Sequence, residues 1–154
     1  ARSLGARDMG EHRQGDTYFR VPCGRLKMRR IRDSPRGTLI YYDRPDRAES
    51  RYSKYYLAPV DDAEEVETLL DTALGILVKV DKTRHLFLYG ATRIHLDRVE
   101  NLGCFVELET VIQYQTEEEA RAEHDLVKQA LGLDERETVA VSYGDLLQER
   151  SRRP

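Results

Sequence analysis

Charged side chains recur at alternate positions along three consecutive strand-like segments, residues 78–89, 92–99 and 104–113. Within each segment the charges stand two or four residues apart: Lys82 and Arg84, then Arg93 and Asp97, then Glu107 and Glu109. Successive side chains of a strand point to opposite faces, so each segment directs its charges to one face. Cations and carboxylates on one sheet face are what a polyphosphate and its divalent metal ion require.

Several of the charged residues, taken singly, also have an ordinary explanation. Lys27 and Arg29, in a further strand-like segment at 25–32, fit a solvated edge strand, where lysines prevent unwanted strand pairing. Glu107 and Glu109 fit the wet face of an amphipathic strand, and Asp97 fits a turn former. The hypothesis of a polyphosphate site therefore rests on the joint placement of the charges.

Composition bounds the class of protein. A chain of 154 residues fits one domain, predicted at 1–150 with a frayed tail at 151–154. No apolar run approaches the ~18 residues of a membrane helix, and the polar start does not resemble a signal peptide. Cys23 and Cys104 match neither a zinc pattern nor a disulfide framework. We therefore expect a cytoplasmic protein that does not enter a membrane.

Charge is distributed unevenly along the chain. Residues 1–58 carry 14 Lys and Arg against 7 Asp and Glu, whereas residues 59–154 carry 11 against 21. The basic first part, with its tyrosines, leaves open a nucleic-acid surface. The favoured explanation is that the two parts neutralise each other in one domain, so nucleic acid is not the expected partner.

Strand-like and helix-like segments alternate with clear turn signals. We predict antiparallel hairpins from four short segments at 16–21, 25–32, 38–44 and 52–57. A helix begins after Asp61 or Asp62 and ends at Gly75, and a second runs from a Thr116–Glu119 capping box to Gly132. Ser142 is expected to cap a short last helix at 143–148. This pattern predicts an antiparallel sheet that curls or closes, with helices packed outside.

The ordered motifs resemble those of one known family. Val-Asp-Lys-Thr-Arg at 80–84, Thr-Arg-Ile-His-Leu-Asp at 92–97 and Leu-Gly-Cys-Phe-Val-Glu-Leu-Glu at 102–109 resemble the CYTH domain, the family of class IV adenylyl cyclases and thiamine triphosphatases. Segments 16–19, 26–29, 39–42 and 142–147 also match its pattern. The resemblance implies a triphosphate tunnel metalloenzyme, an α+β fold whose antiparallel sheet is closed or nearly closed into a polar tunnel with flanking helices.

The resemblance also implies roles for individual residues. Lys82 and Arg84 would be catalytic cations, and the substrate phosphates would bind Lys27, Arg29 and Arg93. The expected ligands of a Mg²⁺ or Mn²⁺ ion are three carboxylates: Asp97, Glu107 and Glu109.

The chain departs from the family pattern in one strand and at two single positions. The Glu-x-Glu-x-Lys strand of the family should precede a helix ending near 2–6, so we expect that first strand to be absent from this chain, by truncation or by natural loss. Tyr42 stands near a usual lysine, and whether Arg44 or Lys54 substitutes is open. Cys104 replaces an aspartate of a turn. The sheet edge left uncovered by the missing strand could pair with a second copy of the chain, so a homodimer is one expected form.

Three functions follow as hypotheses. The leading one is a metal-dependent enzyme that hydrolyses a triphosphate or cyclises ATP to cyclic AMP, with tripolyphosphate, thiamine triphosphate and ATP as candidate substrates. The second is a protein that binds polyphosphate or nucleotides without turnover, and the third is a nucleic-acid binder.

Overall fold

The structure is a computed structural model that describes residues 1–43, 54–133 and 138–152, apart from the side chain of Lys54. Predictions that involve Arg44, Tyr52 or the Lys54 side chain therefore lie outside the described residues.

Within the described residues, seven strands and three helices follow a short 3₁₀ turn at Arg2–Leu4. In chain order they are β1 (Arg7–Phe19), β2 (Arg25–Ile31), β3 (Gly37–Asp43), β4 (Lys54–Val60), α1 (Ala63–Leu74), β5 (Ile76–Tyr89), β6 (Thr92–Val99), β7 (Gly103–Thr110), α2 (Glu117–Ala130) and α3 (Tyr143–Arg152). The strands form one sheet in the order β4-β3-β2-β1-β5-β6-β7. The β1–β2, β2–β3 and β3–β4 pairs are antiparallel. The α+β class with an antiparallel sheet is as predicted.

The first strand is longer than the sequence pattern indicated. We expected a strand from residue 16, but β1 begins at Arg7. Its first half is largely exposed, so it lacks the alternating apolar signal that would reveal a strand. Its neighbour β5 spans 14 residues and provides a long edge for backbone pairing. Gly10, with φ 85°, lies within β1 in a conformation that favours glycine.

Helix boundaries follow the predicted caps closely. The Asp62 side chain accepts a hydrogen bond from the Glu65 backbone N–H at 3.0 Å and starts α1, while Gly75, with φ 80°, ends it. Thr116 and Glu119 form a reciprocal capping box at the start of α2. The last helix is longer than expected: α3 continues to Arg152, four residues beyond the predicted end at residue 148.

The chain divides into two compact units. The first comprises Ala1–His12, Thr83–Arg98 and Gly103–Thr138, and the second comprises Arg13–Lys82, Val99–Leu102 and Val139–Pro154. In the first unit, Phe87, Ile94 and Val127 are buried together, which packs α2 against β5 and β6. In the second unit, Phe19 and Met28 pack with Ala63 at the start of α1. In each unit one sheet face is thus covered by a helix.

No helix within the described ranges is both long enough and apolar enough to cross a membrane.

Candidate functional site

Asp16 is a buried carboxylate that gathers cations in the second unit. The β1–β2 register places Asp16 opposite Arg29 and Tyr18 opposite Lys27. Asp16 is 2% exposed and accepts hydrogen bonds from Lys27 Nζ at 2.7 Å and from Arg29 Nε and Nη2 at 2.8 and 2.9 Å. The paired contacts from Arg29 fix both the position and the orientation of its guanidinium.

The protonation of Asp16 follows from its neighbours. Burial alone would raise the pKa of this carboxyl, but Lys27, Arg29 and Lys82 together hold it well below its usual range. Asp16 is therefore ionised, and its carboxylate attracts all three cations. We call Lys27, Arg29 and Lys82 around Asp16 the cation cluster; its donors are of the kind that bind phosphate oxygens.

Aromatic rings surround the amines of the cation cluster. The Nζ of Lys27 lies 5.2 Å from the ring centroid of Tyr18 and 5.8 Å from that of Tyr42. Lys82 Nζ lies 4.9 Å from the ring of Tyr143, the first residue of α3. These distances are within the range of cation–π attraction, which helps to hold each amine in place. Tyr42 therefore contributes an aromatic face to the surroundings of Lys27.

Arg84 links two carboxylates in the first unit. Its guanidinium donates to both oxygens of Asp97, at 2.7 and 2.6 Å, and to Glu107 Oε2 at 2.7 Å. Arg84 and Asp97 are buried, whereas the side chain of Glu107 remains 44% exposed. His95 Nδ1 lies 3.3 Å from the same Glu107 oxygen. We call Arg84, Asp97, Glu107 and His95 the Arg84 cluster.

Two of the predicted residues, Arg93 and Glu109, belong to neither cluster. Arg93 Nη1 donates to Glu109 Oε2 at 3.1 Å, and their side chains are 46% and 30% exposed. Such a half-exposed pair contributes little to stability. The assignment of Arg93 to phosphate and of Glu109 to metal stays a prediction, as do the roles of the other site residues.

The donor set of the Arg84 cluster is compatible with a hard divalent cation. In the described ranges, no group of three or more His, Cys, Asp and Glu side chains is arranged to hold a metal ion. Mg²⁺ is commonly bound through one or two carboxylates, with water and substrate phosphates completing its shell. Asp97 and Glu107 share Arg84 and supply two such carboxylates. Asp97 and Glu107 therefore suit a metal ion whose remaining ligands are oxygens of water and of the substrate.

Sequence reasoning missed Asp16 and underrated His95. Asp16 was only part of a matching motif, because its importance depends on the β1–β2 register that places it against Arg29. Its alternation with Tyr18 on the strand was the available signal. His95 was not among the predicted site residues, yet it is 5% exposed and contacts Glu107. Tyr143 could be found only from the path of α3.

Comparison with known proteins identifies the family. The CYTH domain profile matches residues 1–143, nearly the whole chain. The chain belongs to the CYTH domain family. No curated protein sequence matches this CYTH protein significantly.

Solved structures share the CYTH fold of this chain. The PH1012 protein from Pyrococcus horikoshii OT3 has a TM-score of 0.83 and 25% identity, covering 94% of this chain and 88% of its own. A conserved hypothetical protein from Pyrococcus furiosus has a TM-score of 0.79 and 25% identity, with the same coverage of 94% and 88%. A candidate adenylate cyclase from Vibrio parahaemolyticus, at TM-score 0.74 and 18% identity, covers 96% of this chain and 87% of its own. These matches confirm the predicted fold.

Proposed function

We propose that this CYTH protein is a metal-dependent enzyme that acts on a triphosphate, either hydrolysing an inorganic or organic triphosphate or cyclising ATP to cyclic AMP. The cation cluster is the observation that carries the proposal. Lys27 and Lys82 are 8% and 5% exposed, and both of them, with Arg29, act on the carboxylate of Asp16. Cations held close together at fixed positions are suited to bind the oxygens of a phosphate chain.

The cation cluster would bind phosphate oxygens. Arg29, oriented by Asp16, offers a planar fork of donors, while Lys27 and Lys82 offer compact point charges. Because phosphoryl transfer spreads negative charge over the phosphate oxygens, preorganised cations stabilise the transition state without moving at the moment of reaction.

The Arg84 cluster would hold the metal ion. Asp97 and Glu107 are the residues that would bind Mg²⁺ or Mn²⁺, and the ion would supply neutralisation of phosphate charge. In the structure, Arg84 neutralises the same two carboxylates. Its Nη2 lies 2.6 Å from Asp97 Oδ2 and 2.7 Å from Glu107 Oε2. His95 restrains the exposed Glu107 from a second side. The carboxylates are thereby oriented before any ligand binds.

Product release tests the proposal. Tripolyphosphate, thiamine triphosphate and ATP are each incubated with Mg²⁺ or Mn²⁺, and phosphate, pyrophosphate and cyclic AMP are measured. We expect turnover that requires the metal and disappears with a chelator. The name of the Vibrio relative points to cyclisation, but its 18% identity supports the fold alone, so cyclic AMP is scored beside hydrolysis. An absence of all three products with every substrate would contradict the proposal.

A binding protein without turnover is the second candidate. The observation that favours it is the occupancy of the predicted metal ligands: Arg84 already neutralises Asp97 and Glu107. It predicts that tripolyphosphate binds equally well with and without a divalent ion and that no product forms.

A further inference from the structure

A series of side-chain hydrogen bonds joins α2 to the start of β6 and the end of β7, all within the first unit. Glu123 Oε1 accepts from the hydroxyl of Thr92 at 2.6 Å and from the backbone N–H of Ala91 at 2.9 Å. Thr92 Oγ1 lies 2.8 Å from Thr110 Oγ1, and Thr110 Oγ1 lies 3.1 Å from Nδ1 of His124. We call Thr92, Thr110, Glu123 and His124 the threonine bridge.

The chain makes room for the threonine bridge at a glycine. Gly90, with φ 53°, lies in the turn between β5 and β6, and a Cβ at this position would overlap the carboxylate of Glu123. Thr92 is 0% exposed, and Thr110, Glu123 and His124 are half-buried. Polar groups in such places are normally hydrogen-bonded, and the bridge supplies their partners.

Donor and acceptor chemistry fixes the direction of each bond in the bridge. A threonine hydroxyl has one proton to donate, and a carboxylate only accepts. Because Thr92 donates its proton to Glu123, Thr110 must donate to Thr92. The proton of Thr110 is then in use, so Nδ1 of His124 must carry a proton and donate it to Thr110. Burial lowers the pKa of His124, so above neutral pH the ring is uncharged and its one proton is on Nδ1.

The threonine bridge lies next to the pair of predicted site residues that belong to neither cluster. Arg93 follows Thr92 on β6, Glu109 precedes Thr110 on β7, and the two charged side chains pair at 3.1 Å. Glu109 and Thr110 are the last two residues of β7, an edge strand of the described sheet. The end of an edge strand opens more readily than the middle of a sheet, so side-chain contacts there affect how firmly Glu109 is held.

We propose that His124 is a positioning residue, which through its Nδ1 proton and Thr110 holds the end of β7 so that Glu109 can bind the divalent metal ion. The inference rests on the proposed function for the metal ion and on the predicted role of Glu109. It adds a residue of α2, outside the sheet that carries the predicted ligands, to the groups that set metal affinity.

The protonated nitrogen of His124 tests the direction of the bridge. Nitrogen-15 NMR correlation spectra of the wild type at pH 8 should show an uncharged ring with its proton on Nδ1. The spectrum of His124→Asn assigns the signal among the four histidines of the chain. A neutral ring that carries its proton on Nε2 would overturn the inference, because Nδ1 could not then donate to Thr110.

Binding of Mn²⁺ without substrate, followed by electron paramagnetic resonance, tests the positioning role. Asn keeps an N–H donor close to the place of Nδ1, whereas Leu has the same branching and no donor. We expect His124→Leu to weaken Mn²⁺ binding about tenfold and His124→Asn to stay within about twofold of the wild type, as for residues that orient metal ligands. Leu is the better helix former, so an effect on helix stability alone would rank the two variants in the opposite order.

A double-mutant cycle with Glu109→Gln shows whether His124 acts through Glu109. If it does, the double variant with His124→Leu should bind Mn²⁺ no more weakly than Glu109→Gln alone, whereas independent effects multiply. Gln129→Leu, on the exposed side of α2, is the matched control and should leave Mn²⁺ affinity unchanged. Thr110→Val interrupts the bridge from β7 and should reproduce His124→Leu if that variant folds poorly by circular dichroism.

Equal Mn²⁺ affinities of the wild type and His124→Leu, losses that multiply in the double variant, or no Mn²⁺ binding by the wild type would each overturn the inference. The proposed function is decided separately, by metal-dependent product release. Turnover together with multiplying losses would retain the enzyme and remove the role of His124. Losses that do not multiply, without any product from the three triphosphates, would retain that role and contradict the enzyme.

Discussion

Lys82 and Lys79 are two lysines on the same strand that we expect to behave differently. Lys82 is 5% exposed and belongs to the cation cluster, whereas the side chain of Lys79 is 57% exposed and pairs with Glu67 at 2.8 Å. Removing a preorganised cation from a site of charge development costs about 10²–10³-fold in rate. Lys82→Ala should therefore lose about that factor in kcat/KM for the triphosphate substrate, and Lys79→Ala should remain within about twofold. Similar rates for the two variants would count against the cation cluster as the phosphate site.

The buried carboxylate of Asp16 should make the stability of the protein depend on pH in the acid range. Its folded pKa is depressed, so its ionised form contributes stability that is fully present above the unfolded value of 3.8 and is lost as the pH falls below it. Asp16→Asn keeps the shape but removes the negative charge that Lys27 and Arg29 contact. Removing one partner of a buried ion pair costs about 3–5 kcal/mol.

Urea unfolding at pH 7 and pH 3 checks this expectation. The wild type should lose more stability than Asp16→Asn over that interval, because the variant has already lost the ionised carboxyl. Adding tripolyphosphate at pH 7 should restore part of the lost stability of Asp16→Asn, since the ligand supplies negative charge to the same cations. A variant as stable as the wild type at pH 7 would show that the cations do not depend on Asp16.

Among the elements, the capping box of α2 isolates a local contribution to stability. Thr116 Oγ1 accepts from the Glu119 backbone N–H at 3.2 Å, and Glu119 accepts from the Thr116 N–H at 2.8 Å. Replacing such a cap by alanine costs about 1 kcal/mol. We therefore expect Thr116→Ala to lower the free energy of unfolding by about that amount, measured in urea. Thr116→Ser keeps the hydroxyl and should retain most of the stability. An equal loss of stability in both variants would show that the hydroxyl cap is not its source.

Elements with a strong local signal were predictable from sequence, and those defined by pairing were not. The bounds of β6 are as predicted because apolar and charged residues alternate along it and Gly90 precedes it. The caps of α1 and α2 were also readable, since each is set by residues three positions apart. The start of β1 was not, because its exposed residues gain their strand conformation from neighbouring strands.

The same distinction applies to the candidate site. Same-strand parity brought Lys82, Arg84 and Asp97 into the prediction, and all three are buried. The division of the charges among partners was not predictable, because it depends on register and side-chain reach. Only the structure shows that Arg84 contacts Asp97 and Glu107, while Arg93 contacts Glu109.

At the scale of the whole molecule, charge distribution decides between a compact anion and a nucleic acid as ligand. The chain carries a net charge of −3, so long-range attraction to a polyanion is weak. The cations of the cluster are largely buried around Asp16, where a small ligand can reach them more readily than a duplex or a long strand. This arrangement favours local recognition of phosphates over a surface for nucleic acid.

Thermal unfolding with the two classes of ligand tests that conclusion. A ligand that binds only the folded state stabilises it, by about 2.7 kcal/mol at a hundredfold excess over Kd. We expect tripolyphosphate at such an excess to raise the Tm of the wild type, and Lys82→Ala to reduce the shift, because Lys82 lies near the shared anion Asp16. Long single-stranded DNA at the same phosphate concentration should give little or no shift. A larger shift with DNA that declines steeply with added salt would instead identify a nucleic-acid binder, since release of counterions produces that dependence.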